Sequence, residues 1–246
     1  MQDTTNDEII NPRRPQSWED RQRFEDYYDE GLLIWLDADT LIRERSGGKR
    51  SLDDFARAFF GLNDGSFVTV TYTFEDVVKA LNAVEPYDWA GFLRERLDAI
   101  GKQAPLDGLR RGGYRLVYTD KPSDYDKAGQ GQFKRVSLDY SIGVEIDAGE
   151  QPGNLQLVMW DSPAFKAGLT RGTQILAVNG QAYTAERLTD AIEFARTDAA
   201  PIELMTRKGD QFSVVKIDYH GGLRYPHLER DTSQPARLDD ILAPRR

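Results

Sequence analysis

The apolar positions of the chain change period once, from helical to alternating, near Gly112-Gly113, and that change predicts two structural regions. In the first, Phe24, Tyr28, Leu32, Trp35 and Ile42 fall on one broad face of a long helix that opens at Trp18 behind a Ser17 cap with Asp20 in its first turn. Gly47-Gly48 stops it. Ser51 with Asp54 and Thr73 with Asp76 have the spacing of capping boxes, so each opens a further helix. Phe55, Ala58, Phe59 and Leu62 form the buried stripe of one, and Val77, Val78, Leu81 and Val84 that of the other, with Tyr72 placed as a staple to Val77. A fourth helix starts near Asp88 and turns Trp89, Phe92, Leu93 and Leu97 inward. Short loops between capped helices predict a small helical subdomain.

The second region alternates. Residues 114–118 read as a strand, 120–132 as an exposed loop rich in Lys, Asp, Gly and Pro, and 141–146 and 155–159 as further strands. A strand ending in Asn179-Gly180 precedes a helix capped by Thr184, in which Leu188 and Ile192 point to the core while Arg187 and Ala191 take the opposite side. Residues 201–205 and 212–217 close the pattern around Lys208-Gly209-Asp210. The tail beyond Gly221-Gly222 carries Pro226, Pro235 and Pro244 and reads as disordered, apart from one short docking turn through Leu238, Ile241 and Leu242. The fold class is α+β, divided into a lead-in over 1–16, a helical subdomain over 17–111, a β-rich sandwich or barrel domain over 112–222 and a tail over 223–246.

Composition narrows the function. At 246 residues the chain is long enough for two compact cores. A net charge of −9 leaves no basic face for phosphates and argues against nucleic-acid binding. Without cysteine there is no disulfide frame, thiolate nucleophile or cysteine-ligated zinc, and the compartment, periplasmic or cytoplasmic, stays open. No apolar run approaches the about 20 residues that cross a bilayer, and residues 1–14 lack the apolar stretch of a secretory signal.

Two sets of motifs carry a resemblance. Tyr27-Tyr28-x-x-Gly31-Leu32-Leu33, Leu36-Asp37 and Arg43-x-x-Ser46-Gly47-Gly48-x-x-Ser51-Leu52-Asp53-Asp54, in that order, resemble the carboxyl-terminal part of the glycyl aminopeptidase family. The resemblance implies a zinc metallopeptidase with a thermolysin-like catalytic domain upstream, then a helical subdomain and a PDZ domain. It also implies that Tyr28 donates a hydrogen bond to the oxyanion formed at the scissile peptide, a charge that a preorganised donor stabilises more in the transition state than in the ground state. Asp29-Glu30 departs from the family, which often has a lysine before the glycine.

Ser162-Pro163-Ala164-x-x-Ala167-Gly168-Leu169 and the strand ending in Asn179-Gly180 closely resemble a PDZ domain. Such domains add an extended peptide beside a strand and hold its terminal carboxylate on a loop of backbone N–H groups. The resemblance puts that loop at Ser141, Ile142, Gly143 and Val144, with Arg187 and Ala191 facing the groove from the helix. The occupant is either a peptide or protein ligand or a segment of the same chain.

The family's zinc site needs two histidines four apart on a helix with a glutamate between them. The only histidines here, His220 and His227, are seven residues apart in a segment broken by glycine and proline. No metal ligand is therefore assigned in this chain, and zinc is implied only for a longer protein. Two readings follow. The chain is the carboxyl-terminal part of a metallo-aminopeptidase whose catalytic domain lies upstream, or it is a non-catalytic PDZ protein that binds peptides.

Overall fold

A computed structural model describes residues 26–63, 65–99 and 104–244. The expected lead-in and the Ser17 cap, Trp18 and Phe24 lie outside these. The described residues mix helices with open sheets, an α+β fold. They form two compact units, one helical (described residues of 26–115 with 228–244) and one sheet-rich (116–227).

The helical unit begins with α1 (Asp26–Arg45), α2 (Leu52–Phe60), α3 (Phe74–Val84) and α4 (Trp89–Leu97). Both expected capping boxes form: Ser51 N donates to Asp54 Oδ2 at 2.9 Å and Thr73 N to Asp76 Oδ2 at 2.9 Å, while the Ser51 and Thr73 hydroxyls accept backbone N–H groups of the first turns. Asp88 caps α4 by accepting from Gly91 N at 2.9 Å. Ile34, Ala38, Ile42, Phe55, Leu81, Trp89, Phe92 and Leu93 are buried together, so four amphipathic stripes share one core. The Trp89 indole N–H is satisfied by Glu85 O at 2.8 Å.

Two acidic side chains inside this unit hold helices to one another. Asp39 accepts Leu52 N at 2.7 Å and pairs with Arg43 Nε at 3.0 Å, which joins α1 to the start of α2. Asp37 is fully buried and meets Arg96 from α4, at 2.6 Å, and Arg111 from the short helix α5 (Asp107–Arg111). A buried carboxylate is tolerated only when paired in this way. α5 also approaches α1 backbone to backbone, because a Cβ on Gly108 would lie 2.7 Å from Asp37 N.

The chain then enters β1 (Tyr114–Thr119) and returns at its end through β9 (Tyr225–Arg230), which pairs with β1. Residues 223–244 of the tail are ordered, not disordered as their prolines imply. Arg230 forks onto Gly113 O at 2.8 Å and Gln234 O at 2.7 Å, Asp231 N donates to Gly113 O at 2.8 Å, and a short helix, α9 (Arg237–Leu242), buries Leu238 while leaving Leu242 exposed. The docking turn thus exists, anchored on one residue of the three.

In the sheet-rich unit the expected loop over 120–132 is instead largely a helix, α6 (Asp124–Phe133), because Ser123 and Asp126 form a third capping box at 2.6–3.1 Å. It leads into β2 (Arg135–Ser137), which pairs antiparallel with β3 (Val144–Asp147), itself paired with β4 (Leu155–Val158). After α7 (Pro163–Lys166) come β5 (Gln174–Val178), β6 (Gln181–Ala182), α8 (Ala185–Phe194), β7 (Ile202–Lys208) and β8 (Gln211–Ile217), giving a second sheet in the order β6-β5-β7-β8. The β7–β8 hairpin turns on Gly209-Asp210, with Gly209 at φ +62°. Leu138, Ile142, Val144, Ile146, Leu188 and Ile192 are among the residues of its core. No helix of the described residues is long and apolar enough to cross a membrane.

The contact at Gly108 yields a stability prediction. Gly108→Ala should cost about 1–3 kcal/mol, as overpacking does. Gly31→Ala, which has nothing within 4 Å of its Cβ, should instead gain up to about 1 kcal/mol from helix propensity. Urea unfolding of the two variants against the parent checks both signs.

Candidate functional site

Tyr28 lies near the start of the described part of α1, 67% exposed, with its ring tilted against that of Tyr27, centroids 4.6 Å apart. Helical periodicity places Tyr28 and Leu32 on the buried face; in the structure both are exposed, Leu32 at 64%. The apolar stripe of α1 enters the core only from Ile34 onward. The open space around Gly31 means that no segment of the described chain uses the close approach a glycine allows. The phenol is therefore exposed on the first described turn of α1 rather than packed away.

The second set of candidate residues sits at the turn between β2 and β3. Ser141, Ile142, Gly143 and Val144 are all buried. Gly143 has φ +80° and a Cβ there would collide with Ser162, the cap of α7, so this position requires glycine. The loop's amides converge on one acceptor: Ser141 N at 3.0 Å and Gly143 N at 2.9 Å both donate to Leu138 O. Leu138 N returns a bond to Val144 O at 2.9 Å. The Ser141 hydroxyl accepts Arg224 N at 3.1 Å, which gives the serine a role in fixing the loop.

On α8 the four assigned side chains divide unevenly. Leu188 and Ile192 are in the core, as the periodicity requires, and Arg187 is exposed with its guanidinium on Ala182 O at 2.6 Å. Ala191, read from the spacing as groove-facing, is 7% exposed and packs in the same core. It lies three residues after Leu188 and so continues the buried stripe.

Leu138 carries no assignment in the sequence reading, although Val136 and Leu138 alternate with polar neighbours in the manner of a strand. That alternation is the signal that finds it. The histidines do not approach each other's chemistry: His220 bonds Ala195 O at 2.7 Å and Asp218 Oδ1 at 2.9 Å, and His227 bonds Lys121 O at 2.7 Å. Among the described residues no three His, Cys, Asp or Glu side chains come together to hold a metal, so these residues do not fit the family's zinc.

No family model matches the chain, and no curated protein matches it. Among solved structures, an aminopeptidase N family protein from Idiomarina loihiensis is similar at TM-score 0.63 and 19% identity, over 93% of this chain and 38% of that one. The HtrA3 PDZ domain bound to a phage-derived ligand (FGRWV) aligns at TM-score 0.24 and 19% identity, over 49% of this chain and 96% of that one. The first likeness shows a shared fold: the chain has the architecture of the carboxyl-terminal region of that protein and spans well under half its length.

The β2–β3 turn also contains a carboxyl group out of its ordinary range. Burial pushes Asp139 from 3.8 up to about 6, and neighbouring Glu145 adds to the rise, while the Ser137 hydroxyl and Arg135 oppose it. The folded state holds this proton more tightly than the unfolded chain does. Its contribution is therefore full below about pH 3.8 and is lost as pH rises through about 6. Asp139→Asn is expected to raise the melting temperature at pH 8 and leave it unchanged at pH 4, as thermal melts at the two pH values will show.

Proposed function

We propose that the chain is the carboxyl-terminal part of a zinc-dependent aminopeptidase of the glycyl aminopeptidase type, acting on the amino-terminal residues of peptides. The reading is carried by Tyr28, a phenol exposed on α1 at the position that the motif resemblance assigns to transition-state stabilisation. The shared fold with the carboxyl-terminal region of an aminopeptidase N family protein supports it. So do the side chains of Leu32, Phe60, Phe67, Val68 and Tyr72, large apolar groups that the described part of the helical unit leaves exposed.

In this reading an upstream catalytic domain packs over those side chains and would hold the zinc, whose chemistry there would be to polarise the scissile carbonyl and activate water. The contribution of the present chain is one donor. The Tyr28 hydroxyl gives its hydrogen bond to the carbonyl oxygen as that oxygen gains negative charge. Asp29 and Glu30 surround the donor with negative potential, which opposes an oxyanion and favours a positively charged amino terminus nearby. The sheet-rich unit acts as a PDZ module that holds an extended segment beside β3.

In the complete enzyme Tyr28→Phe should lower kcat by about tenfold to a hundredfold and leave KM nearly unchanged, the signature of a bond made only in the transition state. Steady-state kinetics on an amino-terminal glycine substrate measure this, and an unchanged kcat would return Tyr28 to a packing role. Reading the coding sequence upstream of Met1 tests the frame: an in-frame His-Glu-x-x-His supports the peptidase, and a start codon without one leaves a peptide-binding module.

A further inference from the structure

We infer that the peptide groove of the sheet-rich unit is filled by the chain's own segment 134–138, with Leu138 standing where the terminal residue of a ligand would sit. The inference rests on the peptide-binding reading of the Ser141–Val144 loop and is independent of the peptidase reading. A peptide recognised by strand addition does three things: it pairs antiparallel with a strand edge, places its terminal oxygens on loop amides, and alternates its side chains between a pocket and the outside. Segment 134–138 does all three.

It pairs antiparallel with β3 in the register Arg135 with Asp147, Val136 with Ile146 and Ser137 with Glu145, and Lys134 O extends the ladder by accepting Ala148 N at 2.8 Å. Its last carbonyl, Leu138 O, takes the Ser141 and Gly143 amides that would otherwise meet a carboxylate, and its last amide bonds Val144 O. The Leu138 side chain, 1% exposed, shares a buried cluster with Ile142, Val144, Leu188 and Ile192, and Val136 packs against the same cluster. Arg135 and Ser137 point the other way, to Glu145 at 2.8 Å and Asp139 at 2.8 Å.

The other edge of β3 belongs to β4, so among the described residues neither edge is open to a second strand. A free peptide must displace β2. A covalently tethered competitor acts at an effective concentration on the order of millimolar, so a peptide of micromolar intrinsic affinity would bind roughly a thousandfold more weakly. The occupant also defines the ligand class: peptides with aliphatic residues at the last and third-from-last positions and a free carboxylate.

The test is fluorescence-anisotropy titration of the full chain with the labelled peptide Lys-Arg-Val-Ser-Leu bearing a free carboxylate. The parent is compared with Val136→Pro, which removes a ladder N–H, and with Leu138→Ala, which keeps the backbone and empties the pocket, so that a failure of either variant to fold leaves the other. The expected result is at least tenfold tighter binding by the folded variant than by the parent, with bound peptide restoring slow hydrogen exchange at Ser141 and Gly143. Equal affinity in parent and variant overturns self-occupation while leaving the peptide-binding reading in place. No binding by either, with Ser141 and Gly143 exchanging fast in the variant, overturns the reading of the loop itself and the inference with it.

Discussion

The helical unit depends on one buried carboxylate. Asp37 has no solvent exposure and is met by guanidinium groups from two other helices, Arg96 and Arg111. Withdrawing such ions from water costs several kcal/mol each, and only close, multiply bonded geometry offsets it. The pairing therefore contributes less to net stability than to registry, since α1, α4 and α5 satisfy the charge in a single arrangement. Gly108 sets the distance by letting α5 reach the Asp37 backbone. Tyr28 lies nine residues earlier on the same helix, about 13 Å along its axis, so the clamp anchors the helix that carries the phenol.

The sheet-rich unit solves a different problem, that of buried backbone amides. A loop whose four residues are all buried must find partners for its N–H groups, and an unpaired one costs as much as a lost hydrogen bond. Leu138 O supplies two of those partners at once. Chemistry suited to a ligand's terminus and chemistry suited to a tight hairpin are here the same chemistry, which is why the turn can be read as both.

Features decided by a few adjacent residues were legible in the sequence. The Ser51 and Thr73 capping boxes, the glycine turn at Gly209 and the core positions Leu188 and Ile192 all follow from local spacing and reappear in the structure. What was hidden depended on partners distant in sequence or on competing signals. Pro122, Gly129 and Gly131 masked the Ser123 box that starts α6. The prolines of the tail masked Leu238, whose burial depends on residues more than a hundred positions earlier. Tyr28 and Leu32 continue an apolar stripe beyond the core that the described chain provides, and no periodicity distinguishes a stripe that is covered from one that is not. At the candidate groove, the loop could be located from its motif, but its occupant could not, because strand pairing is a property of register and not of composition.

The helical unit is interrupted: its chain runs to residue 115, gives way to the whole of the sheet-rich unit, and resumes at 228. The bonds from Arg230 and Asp231 to Gly113, and from Tyr114 to Asp239 at 2.5 Å, seal the join. On the ribosome, where domains fold as units in the order they emerge, this reverses the usual sequence of completion. The inserted module is fully synthesised while its host still waits for the segment from 228 onward, so the host completes its fold only after the module it encloses has emerged.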